Sequence, residues 1–162
     1  MSRTILLAVD HEANVARAAD MAADLAGRPG DQVVVLHVHE YAVGRFGRVQ
    51  VDCADGEGER VVGQIAERLR AAGVEAREEI RSAHVGHVPR TILDIAEEAD
   101  ARMIVLGSAT ARDVPWLPFG GVSLRLLHLS DRPVLIVPRA RRAAEAATAE
   151  SAASAATSGT AS

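Results

Sequence analysis

"QVVVLHV", residues 32–38, is the stretch on which the fold turns. It is an almost unbroken aliphatic run of strand length, rich in β-branched valine, and it follows the breaker Arg28-Pro29-Gly30. A strand wetted on one face alternates apolar and polar residues. A run without alternation belongs to a strand covered on both faces, the usual state of a parallel sheet. "TILLAV" (4–9) and "MIVLG" (103–107) have the same character, and "PVLIVP" (133–138) is a further strand fenced by prolines. "VEAREEI" (74–80) alternates more and is expected at an edge or half-exposed position.

Between these runs the apolar period changes to that of a helix. "HEANVARAADMAADLAG" (11–27) is Ala-rich and meets a glycine stop. "EGERVVGQIAERLRAAG" (57–73) sets Val61, Val62, Ile65, Ala66 and Leu69 on one stripe and stops at Gly73. "VPRTILDIAEEAD" (88–100) carries Pro89 where a first helical turn tolerates it, with Ile92, Ile95 and Ala96 on one face. "GVSLRLLHLS" (121–130) is a short last helix opening at a glycine pair. Five strands alternating with four helices define an α/β fold with an open, doubly wound parallel sheet and helices on both faces.

The connection "HEYAVGRFGRVQVDCADGEG" (39–58) reads as a long loop, of the kind that is functional or mobile. After Pro138 the chain becomes low in bulky apolar residues, so a folded domain over 1–140 and a disordered Ala/Ser/Thr-rich tail over 141–162 are expected. The length of 162 residues suits one core. With aromatics at 2% against 48% hydrophobic residues, that core must be filled by aliphatic side chains.

A net charge of −4 disfavours nucleic acid as a main partner. All 18 basic residues are arginine, and the absence of lysine excludes a P-loop lysine, a Schiff base and a lysine-dependent phosphoacceptor site. Cys53 has no intramolecular partner and lacks evident electropositive neighbours, so it reads as an incidental thiol. No apolar run approaches the ~20 residues of a membrane span, and "MSRTILLAVD" lacks the layout of a signal peptide, so a cytoplasmic protein free of the membrane is expected. No G-x-G-x-x-G follows the first strand, and neither a nucleophile elbow nor H-E-x-x-H occurs.

Open parallel sheets bind ligands beyond the carboxyl ends of their strands, where the winding reverses. Asp10 follows the first strand, Val38 ends the second, and Gly107 closes "MIVLG". Gly120-Gly121 opens the last helix, whose unpaired N–H groups favour a phosphate. The hydroxyls of Ser108, Thr110 and Ser123, and the charge of Arg112 or Arg125, stand near in sequence. Each has a plainer reading: Asp10 as a helix N-cap, Val38 as core, the glycines as turns. His37 and His39 project to one side of an extended strand; a metal site needs further donors, so they read as hydrogen-bonded packing groups. His84 and His87 are expected in a solvated loop, and Trp116 covers a ligand mouth or fills a dimer contact.

The blocks "ILLAVDHEANVARAADMAADLA", "VVVLHVHE", "VGHVPRTILDIAEEADARMIVLGS" and "GGVSLRLLHLSDRPVLIVP" resemble, in order, the universal stress protein family over residues 3–138. The resemblance implies a five-stranded sheet of order 3-2-1-4-5, counted along the chain, and a homodimer through the strand at 133–138. It implies ATP, with Mg²⁺ or Mn²⁺, or a related adenine nucleotide such as cyclic AMP. ATP-binding members carry G-x2-G-x9-G-[ST]. Here the spacing is kept, but Thr110 stands at the second glycine and Gly121 at the Ser/Thr. By resemblance Asp10 lies on the adenosine side, Val38 contacts adenine, and Gly107, Thr110, Gly120, Gly121, Val122 and Ser123 face ribose or phosphate. No catalytic group is named, and hydrolysis is at most slow. The alternative is a nucleotide-free dimeric interaction module with a degenerate motif.

Overall fold

The computed structural model describes residues 3–10, 15–45, 47–51, 56–107 and 121–138. The elements run β1 (Thr4–Ala8), α1 (Val15–Leu25), β2 (Gln32–Gly44), β3 (Gly47–Gln50), α2 (Glu57–Ala71), β4 (Glu75–His84), α3 (Val88–Glu98), β5 (Ala101–Gly107), α4 (Gly121–Leu129) and β6 (Val134–Val137). The parallel pairs are β4 with β2, β2 with β1, β1 with β5 and β5 with β6. This is the order implied for the five parallel strands, with one antiparallel strand, β3, added on β2.

Strand alternation divides the interior into two layers. Ile5, Leu7, Val33 and Val35 are buried with Ala18, Ala19 and Ala22 of α1 and Val62, Ile65, Ala66 and Leu69 of α2. Leu6, Val34, Leu36 and Val38 face the other way, against Ile92, Ile95 and Ala96 of α3 and Leu126 of α4. The continuous aliphatic runs exist because β1, β2 and β5 are covered on both faces. β4 is the edge strand its alternation predicts, although it runs on to His84.

Helix ends follow local chemistry. Gly73, at φ +80°, closes α2 in a backbone region that favours glycine. Pro89 lies in the first turn of α3. The far end of α3 is closed by Arg132, whose Nη1 donates to the carbonyls of Ala96 at 2.6 Å and Ala101 at 3.0 Å.

The connection 39–58 departs from expectation. Its first part extends β2 to Gly44, and residues 47–50 return as β3, pairing Tyr41 with Gln50 and Gly44 with Gly47. Gly47 takes φ +117° at the turn, which glycine permits without a Cβ clash. The strand at 47–50 thus stands where a loop was expected, and Val38 lies within β2 rather than at its end. Of the two histidines expected in a solvated loop, His84 is instead the last residue of β4, while His87 lies in the short connection as the N-cap of α3; both are exposed. Their rings stack edge-on at 5.8 Å, as do those of Tyr41 and His84.

Candidate functional site

The chain leaves β1 for α1 on one face of the sheet and β5 for α4 on the other, so the winding reverses between these two adjacent central strands. A crevice at the carboxyl ends of β1 and β5 is the geometric consequence. β1 and β2 are in register with Ala8 opposite Leu36, and the Val9 N–H donates to the Leu36 carbonyl at 2.8 Å. Asp10 follows the end of β1 by two residues and is exposed, whereas Val38, two residues beyond Leu36 on β2, is buried in the apolar layer on the α3/α4 side of the sheet. Gly107, the last residue of β5, pairs with Val137 of β6.

The N-terminus of α4 supplies the other half. Gly121 and Val122 are exposed in its first turn, and Ser123 is buried. A Cβ built on Gly121 meets no heavy atom within 4 Å among the described residues, and the first N–H groups of the helix have no intrahelical partner. The donor set suits an anion there. Arg125 does not add its charge at that point, because its Nη1 donates to the Gly86 carbonyl at 2.9 Å. Thr110, Gly120, Ser108, Arg112, Trp116 and Cys53 lie outside the described residues. A separate groove of about 460 Å³, bordered by His87, Arg90, Arg125, His128, Leu124 and Leu129, opens between α3 and α4; Arg125 is the one residue on it that the sequence offered for the phosphate site.

On the opposite side of β2, His37 and His39 form a buried cluster. The rings are edge-on with centroids 4.6 Å apart. His37 Nδ1–H donates to the Val9 carbonyl at 3.1 Å. His39 Nε2–H donates to Glu59 Oε1 at 3.0 Å, and its Nδ1 accepts from Gln50 Nε2 at 3.1 Å. These partners assign each ring a tautomer and join β1, β2, β3 and α2. Gly58 gives the rings room: a Cβ there would lie 2.3 Å from His37 Cδ2. The packing reading of the two histidines accords with this, and no group of three or more His, Cys, Asp or Glu poised for a metal occurs among the described residues. Sequence reasoning missed Gln50, Gly58 and Glu59, because only the unexpected strand β3 and the approach of α2 bring them to the histidines.

The Glu59 carboxyl is held below its ordinary range, first by hydrogen bonding to a backbone N–H and then by His39, while burial opposes the shift. A depressed carboxyl stabilises the fold above its unfolded pKa, and that contribution is lost as pH falls through the folded value. Glu59 is half exposed, so the effect is small. Glu59→Gln should lower Tm by about 1–3 °C at pH 7 and by less as the pH is taken below the carboxylate range. Thermal melts of both proteins across acid pH check this; an undiminished difference at the acid end refutes it.

A parallel sheet whose winding reverses between β1 and β5, with helices on both faces, defines the class of open, doubly wound α/β folds. Within that class the chain belongs to the universal stress protein family, whose model matches residues 1–138. Among solved structures it is similar to a universal stress protein from Archaeoglobus fulgidus, with 26% identity, a TM-score of 0.65, and coverage of 84% of this chain and 93% of that one. The Archaeoglobus fulgidus universal stress protein in complex with dAMP matches at 25% identity and TM-score 0.62, over 82% and 95%. A universal stress protein in complex with cAMP shares the fold at 18% identity and TM-score 0.63, over 85% and 97%. No curated protein matches the chain. Among the described residues no helix is long and apolar enough to cross a membrane.

Proposed function

We propose that this protein is a regulatory adenine-nucleotide binder, with ATP as its ligand, acting as a homodimer. The observation that carries the reading is the reversal of winding between adjacent β1 and β5, with exposed Asp10 just past β1, buried Val38 on neighbouring β2 and the exposed first turn of α4 following β5 in sequence. An adenosine lies along Val38 with Asp10 toward the ribose, and the phosphates meet Gly107, Thr110, Gly120, Gly121, Val122 and Ser123. The dAMP complex of the 25%-identical relative supports an adenine nucleotide. Mg²⁺ or Mn²⁺ accompanies the phosphates as a counter-charge. No general base is assigned among the described residues, and binding without fast turnover is the proposed activity. The dimer forms through β6, which has β5 on one side and no strand partner among the described residues on the other. The reading also places the protein in the cytoplasm.

A nucleotide-free interaction module is favoured by one feature: Leu124, Leu127 and Leu129 are exposed on the short helix α4. One experiment separates the two. Purified protein is denatured and the released nucleotide identified by chromatography, with a parallel thermal titration in ATP and Mg²⁺. At a hundredfold excess over Kd, binding adds about 2.7 kcal/mol, a rise in Tm of about 5–10 °C. The double change Thr110→Gly with Gly121→Ser restores the family letters and should tighten binding; a Cβ at Gly121 meets no atom within 4 Å among the described residues. Neither nucleotide release nor a thermal shift at millimolar ATP would leave the interaction module standing.

A further inference from the structure

β3 does not lie on the β4 side of β2. The Leu36 carbonyl accepts from Val9 of β1, and the Glu40 carbonyl, four residues on and so on the same edge of β2, accepts from the Val51 N–H at 2.9 Å. The Tyr41 carbonyl, on the other edge, accepts from Val85, just past the end of β4. The hairpin strand therefore occupies the edge that β1 vacates, standing above the carboxyl end of β1 where Asp10 lies. Its pairing continues the β2–β3 register to Glu40 and Val51, with Ala42 opposite Val49. Even-numbered residues of β2 face α3 and α4, so Val49 and Val51 project on the same side of the sheet as Val38. Both are large apolar residues left more than half exposed, at 56% and 52%.

We infer that the β2–β3 hairpin forms a wall of the nucleotide crevice, with Val49 and Val51 packing on the face of the purine base. The inference rests on the nucleotide-binding reading and adds to it the element that contacts the base. The occupant follows from three features together. The wall presents two exposed valines, it lies on the same side of the sheet as Val38, and the carboxylate of β2 on that side is engaged: Glu40 Oε1 accepts the Gly86 N–H at 3.0 Å. A planar aromatic base covers such a surface; a phosphate does not. The hairpin's other face holds it in place. Gln50 donates to His39, which donates to Glu59 at the start of α2, so these three are positioning residues for the wall.

The test uses the full chain and two probes, ATP and inorganic tripolyphosphate, titrated calorimetrically with Mg²⁺. Val49→Asn with Val51→Asn changes exposed positions, and circular dichroism and Tm verify the fold. ATP affinity should fall about tenfold while tripolyphosphate affinity is unchanged, because only the base loses a partner. Gln50→Leu, which loosens the wall without touching the ligand, should weaken ATP several-fold, again sparing tripolyphosphate. Equal ATP affinity in the wild type and the double-valine variant overturns the wall, as does a parallel loss of both ligands. A wild type that binds neither probe defeats the nucleotide reading itself, a result distinct from failure of the variants alone.

Discussion

Leu7→Ala is expected to lower the free energy of unfolding by about 3–5 kcal/mol, in the upper part of the range for buried Leu→Ala changes. Leu7 is wholly buried on β1 and shares its layer with Ala18, Ala19 and Ala22 of α1. The cost of such a truncation depends on how far neighbours can collapse into the void. An alanine face has no rotamers to swing inward, and β1 is fixed between β2 and β5, so the cavity persists. A domain of this size is stable by only about 5–15 kcal/mol, and the variant gives up a large share. Urea titration should show a lower midpoint with an unchanged slope. Leu129→Ala, at a site 62% exposed, should stay within about 0.5 kcal/mol of the wild type. A Leu7→Ala loss below about 1.5 kcal/mol would mean that α1 moves in to fill the space.

That core also explains which parts of the molecule were legible beforehand. "TILLAV", "QVVVLHV" and "MIVLG" announced a parallel sheet because burial on both faces removes the need for alternation, a constraint written wholly in local sequence. The helical stripes at Val61, Val62, Ile65, Ala66 and Leu69, and at Ile92, Ile95 and Ala96, were legible from their helical period; all are buried except Val61, which is partly buried. The hairpin was not. Its strand "GRVQ" is exposed along its whole length, so no hydrophobic period marks it, and its pairing is specified by backbone hydrogen bonds and a positive-φ glycine. Once β3 was read as loop, Gln50 had no route to His39, and the wall above Asp10 had no sequence signature. Asp10 could be singled out because it follows a strand end at the switch point; Val38 was singled out by a strand end that the structure moves on to Gly44. Arg125 shows the limit of that argument: near the glycine pair in sequence, it turns to Gly86 and away from the first turn of α4.

Gly58 and Gly63 both lie in α2, and their replacement by alanine should act in opposite directions. In general, alanine in place of a helical glycine removes backbone freedom from the unfolded chain and stabilises by about 0.5–1 kcal/mol. Gly63 meets that condition: its Cβ would come no nearer than 4.0 Å to Glu78 Oε2, an ordinary contact with the end of a flexible side chain. At Gly58 the new atom would fall 2.3 Å from His37 Cδ2, 2.6 Å from its Nε2 and 2.8 Å from His39 Cε1. Neither ring can retreat freely, since both are buried, His37 is bonded to the Val9 carbonyl, and His39 is held by Glu59 and Gln50. Relief requires either moving the start of α2 or breaking the His37 hydrogen bond, so Gly58→Ala should cost about 3 kcal/mol, the sum of overpacking and an unsatisfied buried carbonyl. Chemical denaturation of the two variants reads the contrast directly. Coupling to the ring is checked by the double change Gly58→Ala with His37→Ala: removing the imidazole removes the clash, so the double variant should be less destabilised than the two single losses added together. Strict additivity, or a stabilising Gly58→Ala, would place the start of α2 away from the histidine pair and detach the hairpin from the helix that holds it.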